Sequence, residues 1–200
     1  GTAYKTTING GSFELMENQK PGQSDHCVYY VSEIKGGKFT LGTNTDSGAQ
    51  VFYGSTIAEG LGTAVRDGYY VVVPQVVADL DNVTEATEVK FTEDLNVTSN
   101  TTIHTQKATA AITIDGNGKS VVSTAESADD FQWENGQFPA MSTIFSSVNG
   151  DKVTVSNLSF EGTMSALMLG HYVDSNSNWF NTELNNVNVV NTEVVSFAEN

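Results

Sequence analysis

Thr7-Ile8-Asn9-Gly10-Gly11-Ser12-Phe13 is answered 26 residues later by Glu33-Ile34-Lys35-Gly36-Gly37-Lys38-Phe39, with the isoleucine, both glycines and the phenylalanine in the same places. An offset of that size is a solenoid period: a winding of roughly 20 to 30 residues leaves an apolar face that only the next winding covers. A second echo lies toward the C-terminus. There Val153-Thr154-Val155-Ser156-Asn157-Leu158-Ser159-Phe160 aligns with Thr182-Glu183-Leu184-Asn185-Asn186-Val187-Asn188-Val189 at an offset of 29, asparagine holding the same place in both. The echoes predict parallel pairing of equivalent residues. Val153, Val155, Leu158 and Phe160 point inward, then Leu184, Val187 and Val189, with a one-residue change of phase at each asparagine marking a bend. Asparagine suits the bend because it tolerates the left-handed conformation and its amide reaches the equivalent amide one level away. The glycine pairs at 10–11 and 36–37 turn the chain where a side chain would clash. The expected fold class is all-β, a right-handed parallel β-helix solenoid with protruding loops, its hand taken from the chirality of parallel crossovers.

Composition points the same way. Valine and threonine occur 23 times each, against 9 leucines and 7 isoleucines, and β-branched residues favour strands. Pro74–Leu80 and Met164–Leu169 are the best helical candidates, and both are short. One solenoid is expected over residues 1–200. A seam near 74 divides Gly-Gly-type windings (1–73) from Asn-type windings (75–200). Because the chain starts and stops in mid-pattern, it reads as a segment of something longer.

Asp and Glu number 24 against 9 Lys and Arg, a formal charge of −15. Such a chain repels nucleic acid and anionic lipid, so neither is expected as a partner. No run of 18 apolar residues is present, so no membrane insertion by a helix is expected. The single cysteine, Cys27, has no partner for an internal disulfide and reads as a small buried hydrophobe beside Val28 and Tyr29.

With Thr7–Phe13 and its copy at 33–39, three further patches carry a resemblance: Ile57-Ala58-Glu59-Gly60, Asp67-Gly68-Tyr69-Tyr70-Val71-Val72, and Ile112-Thr113-Ile114-Asp115-Gly116-Asn117-Gly118. Together they resemble a family of bacterial surface proteins of gut anaerobes whose ectodomains hold right-handed parallel β-helix modules related in fold to pectin lyases. The resemblance implies an extracellular or cell-surface setting. It also implies adhesion, a spacer role, or activity on polysaccharide.

Chemistry-bearing motifs are sparse. His26, His104 and His171 are far apart, with no His-Glu-x-x-His, so no metal site and no cofactor is expected. Gly116-Asn117-Gly118-Lys119-Ser120 approaches a phosphate loop, but Thr113 stands where its first glycine belongs, and a turn explains it better. No Gly-x-Ser-x-Gly elbow occurs. Glycoside hydrolysis needs two carboxyl groups roughly 5 to 9.5 Å apart. Asp79 with Asp81, placed on one face of a strand, and the loop of Asp129, Asp130 and Glu134 are the candidates. Lyase chemistry is disfavoured by a single arginine, Arg66, and scattered lysines. Calcium is disfavoured because no Asp-x-Asp-x-Asp-Gly loop is written.

Two segments rich in aromatic and acidic residues interrupt the winding pattern. One holds Phe131 and Trp133, the other Tyr172, Asp174 and Trp179; the two tryptophans stand 46 residues apart, near two periods. Flat aromatic faces beside Asp suit the apolar face and hydroxyls of a neutral sugar. These five residues are the expected ligand-binding set. The expected function is a non-catalytic cell-surface adhesion or spacer module that meets neutral glycan or a host surface through them. The alternative is a polysaccharide-active enzyme of the glycoside hydrolase type using loop carboxylates.

Overall fold

The computed structural model describes residues 5–14, 27–40, 51–81, 83–98, 101–103, 105, 108–123, 143–145, 152–169 and 182–196. The chain divides into two compact units, Gly1–Ala78 and Asp79–Asn200. The first holds β1 (Thr7–Ile8), β2 (Ser12–Phe13), β3 (Val28–Tyr29), β4 (Glu33–Ile34), β5 (Lys38–Thr40), β6 (Phe52–Tyr53), β7 (Leu61–Arg66) and β8 (Tyr69–Pro74). Helix α1 (Gln75–Asp81) spans the division. The second unit holds β9 (Thr87–Lys90), β10 (Leu95–Val97), β11 (Ile112–Ser123), β12 (Thr143–Phe145), β13 (Val153–Leu169), β14 (Thr182–Asn185) and β15 (Asn188–Ser196).

Both sequence offsets correspond to parallel pairings. Thr7 and Ile8 lie opposite Glu33 and Ile34, Ser12 and Phe13 opposite Lys38 and Phe39, and Val153–Ser156 opposite Thr182–Asn185. Equivalent side chains therefore stack. The rings of Phe13 and Phe39 lie 4.8 Å apart and 8° from parallel. Phe39, fully buried, sits in a core with Val28, Val31, Ile34 and Val51. Cys27 packs at the margin of that core, its thiol donating to the carbonyl of Thr40 at 3.4 Å. Burial pushes the thiol above its usual range.

The expected right-handed parallel β-helix is not formed. The described strands fall into four separate sheets of two, seven, four and two strands, and among the described residues no sheet closes on itself or winds as a solenoid. The four-stranded sheet is mixed, because β8 runs antiparallel to both β5 and β7. Asp67 and Gly68 cause the reversal, with φ of 49° and 81°. Two consecutive left-handed residues make the turn whose twist suits a two-residue hairpin, and Asp-Gly is among its preferred sequences. Closing so short a loop costs little chain entropy, whereas a winding would have to travel to the next level before meeting a partner. The local hairpin therefore replaces a parallel winding. The single-solenoid reading of residues 1–200 falls with it.

Pro74 ends β8 and the chain turns helical at Gln75, whose backbone N–H donates to the carbonyl of Gly60 at 2.9 Å. Two turns of helix are marginal alone; α1 is held by the burial of Val77 and Leu80, three residues apart on one face. Met164–Leu169, the other helical candidate, is strand within β13.

In the second unit, apolar residues recur at period two and lie level across parallel strands. Val89, Ile114, Val155 and Leu184 occupy one level, and Leu95, Val121, Phe160 and Val189 another. Val153, Val155, Leu158 and Phe160 are buried as their alternation predicts, while Val189 is exposed. Leu184 and Val187 are half-buried. The bend between the two levels falls on Asn117, Asn157 and Asn186, with φ of 52°, 54° and 53°. Asn186 Nδ2 donates to Asn157 Oδ1 at 2.9 Å. Asn157 Nδ2 donates to Asp115 Oδ1 at 3.2 Å. That bond, then the Asn117 backbone N–H, then Lys90 hold the Asp115 carboxyl below the usual aspartate range, against its partial desolvation. Gly116 is required here, since a Cβ on it would collide with the backbone of Asn157 and with Leu158.

Two outcomes follow. Phe39→Ala should cost about 3–5 kcal/mol in urea unfolding; a loss below about 1 kcal/mol would mean the Phe13–Phe39 stack is not a core element. Because folding depresses the Asp115 pKa, its stabilisation is complete above the ordinary aspartate range. It is lost as pH falls through the lowered folded value. Melting temperature followed from about pH 6 to pH 3 should therefore fall more steeply for the native chain than for Asp115→Asn, and parallel curves would refute the linkage.

Candidate functional site

β3 and β6 are only two residues each, and they pair in parallel with Val28 opposite Phe52 and Tyr29 opposite Tyr53. Alternation sends Val28 into the core and Tyr29 outward. Tyr29 and Tyr53 thus stack on the outside, ring centroids 5.1 Å apart and planes 9° from parallel. Tyr30 stands across both, its ring at 85° to Tyr29 and 82° to Tyr53, with centroids 4.4 and 5.6 Å away. The three rings form one cluster, and all are open to solvent: Tyr29 by 57%, Tyr30 by 61% and Tyr53 by 43%.

Backbone geometry holds the cluster. The Tyr30 N–H donates to the Tyr53 carbonyl at 2.9 Å, and the Val31 N–H donates to Ser55 Oγ at 3.0 Å. The Tyr30 ring occupies the space beside Gly54, where any Cβ would collide with it. Tyr30 itself has φ of 50°, a left-handed conformation that costs a non-glycine residue about 1–2 kcal/mol. Chemically the cluster offers apolar π-faces in two perpendicular orientations and three phenolic hydroxyls that donate or accept. With a formal charge of −15 on the chain, it suits an uncharged partner with an apolar face and hydroxyl groups.

A separate feature of the first unit is an open depression of about 210 Å³ lined by Lys5, Ser32, Glu33, Thr56, Ile57 and Glu59. It is smaller than ordinary small-molecule sites, at roughly 300–1,000 Å³, and the Glu33 carboxylate is already engaged by Lys35 at 3.2 Å.

The five residues expected to bind ligand, Phe131, Trp133, Tyr172, Asp174 and Trp179, lie outside the described residues, as do His26, His104, His171, Asp129, Asp130 and Glu134. Asp79 and Asp81 are described, and the expectation that they share a strand face is corrected. Both are on α1, where two residues apart is about 200° around the axis, so their side chains leave different sides. The stretch resembling a phosphate loop, 116–120, lies within strand β11. Among the described residues no group of three or more His, Cys, Asp or Glu side chains is placed to hold a metal ion, and no helix is long and apolar enough to cross a membrane.

The tyrosine cluster is less visible in the sequence than the tryptophan-bearing segments. The available signal was the recurrence of Val28-Tyr29 as Phe52-Tyr53 at an offset of 24, close to the period already in use. The exposures predict that limited nitration, read by peptide mass mapping, modifies Tyr29 and Tyr30 ahead of the half-buried Tyr70; preferential labelling of Tyr70 would contradict the arrangement. No protein-family model, curated protein or solved structure matches this chain.

Proposed function

We propose that the protein is a non-catalytic adhesive module of an extracellular or cell-surface setting, and that the Tyr29–Tyr30–Tyr53 cluster takes the apolar face of a neutral glycan. One observation carries the reading: three tyrosines in mutual contact, each at least 43% exposed, two on the short strands β3 and β6, whose other side chains pack inward, and one at the turn beyond β3. Packing alone gives no return for leaving so much aromatic surface in water, and contiguous exposed aromatic surface is a mark of binding sites. Aromatic rings stack on the C–H face of a pyranose while phenolic hydroxyls reach its substituents. The net charge of −15 favours neutral glycans over uronate-rich or sialylated ones, since like charge raises the cost of approach. The surface setting and a bacterial source are supported by the sequence resemblance. Phe131, Trp133, Tyr172, Asp174 and Trp179 belong to the same reading as a second aromatic contact.

A glycan array probed with the labelled chain tests this. The native chain should retain neutral hexose glycans above charged ones, and the double variant Tyr29→Ala, Tyr53→Ala should lose the signal by about tenfold or more, the equivalent of roughly 1.4 kcal/mol. Binding that survives this change but vanishes in Trp133→Ala, Trp179→Ala would move the site to the tryptophans. No retention of any glycan by the native chain would overturn the reading.

A further inference from the structure

Tyr30 and Gly54 are equivalent positions just beyond two strands that pair in parallel, β3 and β6. Val28 lies level with Phe52 and Tyr29 with Tyr53, so the next residue of each strand is Tyr30 in one and Gly54 in the other. Both are left-handed, with φ of 50° and 62°. The turn imposes this conformation at both levels, and glycine meets it without strain. Tyrosine does not. Among the described residues, the other non-glycine positions with positive φ are Asp67, Asn117, Asn157, Asn186 and Asn191, all of the two types that tolerate it. Among the described residues Tyr30 alone is a bulky residue where backbone geometry calls for glycine.

Burial does not account for the exception. Tyr30 is 61% exposed, more than any other large hydrophobic residue described, so its ring recovers little by leaving water. Its position is nonetheless over-determined by the Tyr53 carbonyl, by the Ser55 hydroxyl acting on Val31, and by the missing side chain at Gly54. Strained residues held this firmly concentrate where a ligand is gripped.

We infer that Tyr30 is a specificity-determining ligand contact kept at a cost to the fold, and that Gly54 is its positioning residue. The perpendicular Tyr30 ring adds a second surface to the Tyr29–Tyr53 stack, so that a neutral pyranose meets apolar contact on its face and on one edge. The inference rests on the glycan-binding reading and deepens it.

Four single variants separate function from fold when thermal unfolding is measured beside affinity for uncharged hexaoses (cellohexaose, maltohexaose and mannohexaose). Tyr30→Gly relieves the strain, and should raise the melting temperature by about 2–4 °C while weakening binding about fivefold or more. Tyr30→Phe keeps ring and strain, and should retain most of the binding. Gly54→Ala displaces the Tyr30 ring while every tyrosine side chain is retained, and should weaken binding together with a changed near-ultraviolet circular dichroism of the tyrosines. A melting temperature lowered by Tyr30→Gly, or unchanged affinity in that variant, would overturn the inference. If Tyr29→Ala abolishes binding and Tyr30→Gly does not, the glycan-binding reading stands and the role of Tyr30 falls. If the native chain binds none of the three hexaoses, both fall.

Discussion

Parallel pairing in register is the constraint on which this structure depends, because it sets each residue directly over its equivalent. Like then meets like: Phe13 over Phe39 in the core, Tyr29 over Tyr53 in solvent, Asn157 beside Asn186 at the bend. Each match has its own physical basis. Rings gain offset contact beyond the area they bury, and an amide carries both donor and acceptor and so satisfies its own kind. A one-residue slip would exchange inward for outward side chains along a whole strand. It would put Tyr29 where Val28 packs.

Much of this was legible in the residues. The repeated Ile-x-Gly-Gly-x-Phe named the partners in β1, β2, β4 and β5, and the recurring asparagine named the bend. These features are local and period-bound, so a single sequence carries them. Sheet architecture was not legible, and Asp67-Gly68 shows why. Quoted as one patch of a winding, the dipeptide is also a strong hairpin signal, and it lies between runs able to pair in either sense. Whether β8 meets a parallel or an antiparallel neighbour depends on competition between loop closure and stacking, and the turn decides it locally. Asp79 and Asp81 failed for a related reason. A strand would have placed them on one face, and the helix following Pro74 does not.

The candidate site was legible in kind and not in place. Aromatic surface for a neutral partner was expected from composition and charge, and the described aromatics that meet the description are tyrosines on β3 and β6 and at the turn beyond β3. Exposure is a property of strand phase and turn geometry together. Val28-Tyr29-Tyr30-Val31 has two tyrosines in succession, and simple alternation would bury one of them. The left-handed turn at Tyr30 breaks the alternation and leaves both outside.

The asparagine contacts also run one way. Asn186 donates to Asn157, Asn157 donates to Asp115, and the sequence of bonds terminates on an anion. Each amide dipole is thereby aligned with the next, and each bond polarises its neighbour. The bend of the second unit behaves as a short electret, a permanently oriented row whose positive N–H pole faces the Asp115 carboxylate, with Lys90 beside that anion as counterion. Such a row has a sense as well as a strength: turning one amide over would set oxygen against oxygen on one side and N–H against N–H on the other.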